Sequence, residues 1–257
     1  MSVTFVLLIV LLFLMAMVGE NRGLKSFAIL IVNFFTFFAM LKFISSGIDP
    51  VKATVTGCVV ISSITLFLIN GFNKKTVSSF LAVCLVVLLT ILLVYKIGPA
   101  ARLQGFSNEN PGRAAYLSYY VHVDFSKLVM CEILIGLIGA VIDVSISISS
   151  SMHEIFSNNL YNNKHDLLKS GINIGRDILG TMTNTLLFAY IGGFMTLLLW
   201  FDITKYPLSE LINSKLFCPE VFQILCSGIG IVLIIPVTAI ITSAILPMKF
   251  PLRKLLS

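Results

Sequence analysis

The sequence predicts an all-α fold, a polytopic transmembrane helix bundle of about seven spans. Two observations carry this. Only 12% of the 257 residues are charged and 57% are hydrophobic, whereas soluble domains carry about 25% charge. The apolar residues also fall in blocks close to the roughly 20 residues a helix needs to cross a bilayer. A mean hydropathy of +0.99 leaves little soluble mass. The net charge of +6 fits lysines and arginines flanking spans. Without a basic domain it gives no reason to expect nucleic acid. The partner implied first is the lipid bilayer.

The whole chain, 1–257, reads as one transmembrane domain. Its apolar blocks lie at about 2–18, 24–44, 52–70, 77–96, 126–150, 178–201 and 221–246. The first has no positive segment before it and no small-residue cleavage pattern, so it reads as a retained span. Glu20-Asn21-Arg22-Gly23 separates it from the second, whose Phe34, Phe35, Phe37 and Phe38 form a lipid-facing or packing surface. Asp49-Pro50 opens the third span, and Asn70 to Lys75 separates it from the fourth. Residues 97–125, with Gly98-Pro99 and a tyrosine-rich stretch, read as an external loop carrying an interfacial segment. Residues 154–176 read as a cytoplasmic amphipathic connection lying on the membrane. Asp202 and Pro247 bound the last two spans.

Lysine and arginine sort between alternate loops as ten against eight. That bias places the N-terminus outside and the C-terminus inside. The five cysteines, Cys58, Cys84, Cys131, Cys218 and Cys226, are scattered with no CxxC pair, so neither a zinc nor a redox site is indicated.

Asp143 is the most informative residue. It sits in the middle of the fifth span, and a carboxylate at bilayer depth costs about 2.5–3.5 kcal/mol on insertion scales. Positions three and four apart share a helix face. From Asp143 this gives a stripe of Glu132, Gly136, Gly139, Asp143, Ser147, Ser150 and Glu154, with no large apolar side chain in it. Lipid is a poor cover for such a stripe, so it must face protein or water. The sixth span offers a second wall. It begins with the interfacial charge pair Arg176 and Asp177. Gly180, Thr181 and Asn184 then share one face, and Gly192-Gly193 follows. Asn184 can both donate and accept, so it suits Asp143 in either protonation state. The seventh span adds Ser227, Gly228, Gly230, Pro236, Thr238 and Thr242. Two readings stay open for Asp143: a proton-binding group on an ion pathway, or an interhelical hydrogen bond that only specifies packing. The glycines Gly136, Gly139, Gly180, Gly192 and Gly193 read as close-packing positions.

Enzyme chemistry is not expected. Four residues after His153 stands Ser157, so no HExxH zinc site exists. There is no second mid-span carboxylate for an aspartyl pair, and no base placed to activate Ser149, Ser150 or Ser151. No cofactor is implied.

The run from Gly139 to Glu154, followed by Ser170 to Gly193, resembles the YibE/F family of bacterial membrane proteins. The likeness lies over about residues 125–246, and the length resembles the shorter, YibF-like member. It implies a multi-pass protein of the bacterial cell membrane. A more distant resemblance is to one half of an RND-type permease, SecD and SecF being closest in pattern, with one extra N-terminal span here. Asp143 and Asn184 fall at matching places. That resemblance implies proton flow coupled to movement of an external domain. The short connection at residues 45–51 leaves no room for one, so it implies a YibE-like membrane partner that carries it, or a homo-oligomer. The expectation is a proton-coupled transport or export subunit, with a non-transporting scaffold that stabilises a partner complex as the alternative.

Overall fold

The computed structural model describes residues 3–97, 125–161, 163–205, 207–212, 214 and 217–248, so the loop expected at 97–125 falls almost wholly outside the described residues. Within them the chain is a helical bundle. The helices are α1 (Val3–Ser45), α2 (Pro50–Ser63, continued by a π-helical turn at Ile64–Leu68), α3 (Lys74–Ile97), α4 (Phe125–Ser157), α5 (Lys164–Gly193), α6 (Met195–Ile203), α7 (Leu208–Ile212) and α8 (Phe217–Ile245). Among the described residues five are long and apolar enough to cross a membrane, or six if the bent pair α5–α6 counts as one span. The chain is a multi-pass membrane protein.

The first two expected spans share one 43-residue element that breaks at Glu20, where φ is 47° and ψ is −132°. A β-carbon on Gly23 would run into the backbone carbonyl of Met15, so the halves fold tightly against each other at this break. Only glycine could bring the chain so close. The second half packs on α2, where Asn33 Nδ2 donates to Thr65 Oγ1 at 3.0 Å within the π-helical turn.

Two other expectations change. Residues 154–176 do not form a separate connecting element. α4 runs to Ser157, and α5 starts at Lys164 and continues unbroken to Gly193, which leaves only 158–163 as a link. The first turns of α5 bury Leu167, Gly171 and Gly175 against the bundle. The expected span 178–201 is broken at Phe194, where α5 and α6 meet at 54°. Two successive glycines, Gly192 and Gly193, make the helix weakest there. By contrast α8 continues through Pro236. A proline inside a membrane helix is tolerated when neighbouring helices supply partners for the freed backbone.

At the centre α8 packs against α3, α4 and α5, with Ile231, Ile234 and Ala239 fully buried among Val86, Leu137, Val141 and Ile148. Close contact between helices in lipid depends on small residues and buried hydroxyls. Both are present. A β-carbon on Gly175 would overlap the Ile235 side chain, and one on Gly171 would meet Met152 and Ala239. A buried hydroxyl network ties three helices together. Ser79 Oγ of α3 pairs with Ser149 Oγ of α4 at 2.5 Å, and Thr238 Oγ1 of α8 donates to Ser145 Oγ of α4 at 3.1 Å. All four residues are fully buried. The five cysteines are free thiols.

The two ends of the bundle are pinned by lysines. Lys74 Nζ donates to Leu246 O at 2.7 Å, joining the start of α3 to the end of α8. At the opposite end, Lys127 Nζ meets Asp49 Oδ2 at 2.8 Å, joining the starts of α4 and α2. Asp49 also caps α2, accepting from the Val51 N–H at 3.1 Å. The hydrogen bond from Lys127 is the main reason its carboxyl titrates below the ordinary 3.8.

Gly175→Ala should lower stability by about 1–3 kcal/mol, the cost of overpacking, although alanine alone favours a helix. Adding Ile235→Ala should return part of the loss. Thermal unfolding of the four variants in detergent measures the coupling. Asp49 yields a pH signature. Its pKa is depressed on folding, so its contribution is present above 3.8 and fades as pH falls through the lower folded value. The melting gap between wild type and Asp49→Asn should hold from neutral pH down to about pH 5, then close below about pH 4. A gap that persists at the acid end contradicts the assignment.

Candidate functional site

α4 divides into two faces. One is buried and includes Ile133, Leu137, Val141, Ser145, Ile148, Ser149 and Met152. The other carries the polar stripe. Asp143 and Gly139 are exposed at mid-helix, Ser147 and Ser150 are half-buried, and Glu132 and Glu154 are exposed towards the two ends. On α5, Gly180, Thr181, Asn184 and Thr185 are likewise exposed. The stripe therefore looks out of the chain.

Two contacts fix the register of these antiparallel helices. Met152 lies against Gly171, and Gly136 lies under Tyr190. Interpolating between them puts Asp143 level with Gly180 to Thr183, one residue short of Asn184. Asp143 and Asn184 thus sit at the same depth on adjoining open faces, but their side chains do not bond to each other in this structure. The hydroxyls around them are satisfied by their own helices. Ser147 Oγ donates to Asp143 O at 2.7 Å, Thr181 Oγ1 to Ile178 O at 2.9 Å, and Thr185 Oγ1 to Thr181 O at 2.8 Å. At mid-helix, what remains facing outward is the Asp143 carboxyl and the Asn184 carboxamide. Those are groups that can bind a proton and relay a hydrogen bond.

Of the expected packing glycines, Gly136 has close neighbours within the chain. A β-carbon there would meet Tyr190 Oη and, at 2.7 Å, Gln223 Nε2. At Gly139, Gly180, Gly192 and Gly193 a β-carbon would meet nothing within 4 Å. Within this chain those four leave open surface. Arg176 and Asp177 are both exposed and form no ion pair, because neighbours on a helix point about 100° apart.

A polar cluster missed in the sequence surrounds Gly136. Gln223 Nε2 reaches Glu132 O at 3.5 Å, and Tyr190 Oη lies 3.1 Å from Ser227 Oγ. Glu132, Gly136 and Gln223 line a cleft of about 320 Å³ against Phe37, Leu41 and Ile44 of α1. A signal existed in the sequence: Gln223 is a carboxamide inside an apolar span, as Asn184 is. Among the described residues no three His, Cys, Asp or Glu side chains come together to hold a metal ion.

A family model described as YibE/F-like protein matches residues 7–248. The chain belongs to the YibE/F-like family. No curated protein and no solved structure matches it. The family match takes in the second half of α1, α2 and α3 as well as the helices that carry the polar stripe. In this YibE/F-like chain the open face and the buried hydroxyl network therefore belong to one matched unit.

The glycines separate by environment. Gly136→Ala should destabilise the purified protein by about 1–3 kcal/mol through overpacking, with partial relief from Tyr190→Phe. Gly139→Ala and Gly180→Ala should be neutral or stabilising by up to about 1 kcal/mol, the helix-propensity gain. Thermal melts of the isolated chain distinguish the two groups.

Proposed function

We propose that this chain is the membrane subunit of a proton-coupled transporter or exporter, working beside a second, homologous membrane chain, with Asp143 as the proton-binding group. The observation that supports this is the placement of Asp143 on an open polar face at mid-helix, level with the start of the Thr183-Asn184 pair. An acid in a span is costly enough that it is retained for a role. A face of carboxyl, carboxamide, hydroxyls and glycines is a poor surface for lipid and a good one for a close-packed helix or a water-filled path. The exposed Gly139 and Gly180 allow the partner's backbone to approach Asp143. Ser147, Ser150, Thr181, Asn184 and the two glutamates, Glu132 and Glu154, then line the route.

A carboxyl removed from water holds its proton more tightly, and exposure to water on one side releases it. Alternating access between two such states is what couples proton movement to work. The half-permease arrangement, the bacterial cell membrane and an outside N-terminus belong to the same proposal. So does the partner's identity: a longer YibE-like chain bringing an external domain, or a second copy of this one.

The decisive comparison is Asp143→Asn against Asp143→Glu in a proton-flux assay with the partner complex reconstituted in vesicles. The Asn variant should lose at least ~100-fold in coupled flux, the lower range for losing an acid–base group. The Glu variant should keep a measurable fraction, and both should still assemble. Full flux in the Asn variant supports a scaffold whose Asp143 only makes hydrogen bonds.

A further inference from the structure

A second site lies at the end of the bundle pinned by Asp49 and Lys127. Between the second half of α1 and α2 runs an apolar groove of about 380 Å³, floored by Met40 and walled by Ala39, Phe43, Ala53, Thr56 and Gly57. Its lining reaches from Lys52 to Val60, about 12 Å along the helix axis. One leaflet of hydrocarbon is about 15 Å deep, so the groove is nearly as long as a leaflet is thick. A separate cleft of about 230 Å³ opens between α2, α3 and α4, with Asp49, Tyr95 and Lys127 at its rim above Ile91 and Leu134. Lys52 lines both cavities.

We infer that this pair of cavities binds one anionic glycerophospholipid. An acyl chain lies in the α1–α2 groove, the phosphate sits on the Lys52 ammonium, and the headgroup occupies the neighbouring cleft beside Tyr95. Charge complementarity argues for the anion. Lys42, Lys52, Lys96 and Lys127 stand at this end of α1, α2, α3 and α4, against Asp49, whose carboxylate is taken by Lys127. The Lys52 side chain is exposed and has no ion-pair partner among the described residues. The surface around the groove argues for lipid over protein. Phe34, Phe35, Phe38, Val59 and Val60 are all exposed and apolar there. That is unlike the glycine- and hydroxyl-rich face around Asp143. Gly57 keeps the groove deep, since a β-carbon on it would press on Met40 Sδ at 2.8 Å. Tyr95 adds a hydroxyl at headgroup level, where such side chains belong.

The test uses the full chain in mild detergent, mixed with equal amounts of phosphatidylglycerol and phosphatidylethanolamine and read by native mass spectrometry. The wild type should retain phosphatidylglycerol in preference. Lys52→Gln should lower that retention about fivefold, the effect of one lysine near a membrane surface, while Lys52→Arg should keep it. Thr56→Trp fills the groove while keeping the lysine's charge and should also lower it. Val232→Ala, at an exposed position of α8, should match wild type. Equal retention of the two lipids, or unchanged retention in either Lys52→Gln or Thr56→Trp, overturns the proposal. A photoreactive side chain at position 56 should crosslink to lipid; capture of a second copy or of another protein there overturns it as well.

Discussion

Hydrogen bonds buried in hydrocarbon have no water to replace them, and the bundle is arranged around that constraint. The helices satisfy their own backbones, but every hydroxyl, carboxamide and carboxyl on a span still needs a partner. Ser79, Ser145, Ser149 and Thr238 find theirs in one another across α3, α4 and α8. The three helices at the centre are thereby tied in one rotation about their axes, α4 through its bonds to both α3 and α8. Close packing then follows from shape. Gly171 and Gly175 let α5 lie on α8 at a distance that no other residue permits.

The same constraint gives the opposite face its meaning. Around Asp143 the hydroxyls turn back to their own carbonyls, which leaves a carboxyl and a carboxamide without partners among the described residues. The glycines follow the same division. Those facing inward are filled against by Ile235, Met152 or Tyr190, and those beside Asp143 and Asn184 look into open space. One side of α4 is thus a finished interior and the other an unfinished one. A second helix bundle with matching small residues would complete it.

Much of this was legible in the sequence. Blocks of apolar residues of bilayer length define the spans, because no other environment accepts them. The i, i+3, i+4 spacing from Asp143 sorts the stripe onto one face. Three features were hidden, each for a physical reason. Ser145 and Ser149 differ from Ser147 and Ser150 only by about 100° of helix rotation, so which pair is buried depends on where α3 and α8 pack. The segment from Lys164 to Arg176 has the polarity of a surface helix, and only Leu167, Gly171 and Gly175 mark the face that packs into the bundle. The break at Glu20 falls where the sequence separates the first two spans, and only its sharpness was hidden, since that comes from the contact of Gly23 with Met15. Gln223 and Tyr190 were readable as polar groups but not as neighbours, since they lie on different helices and meet only over Gly136.

The break at Glu20 has a mechanical consequence. Residues 3–14 are exposed throughout. The arm before the break measures about 26 Å, close to the thickness of a hydrocarbon core. A helix without packed neighbours takes its tilt from the match between its own length and the bilayer around it. An arm of that length would set its tilt by the bilayer, while the second half of α1, beyond the positive φ of Glu20, keeps its own packing on α2.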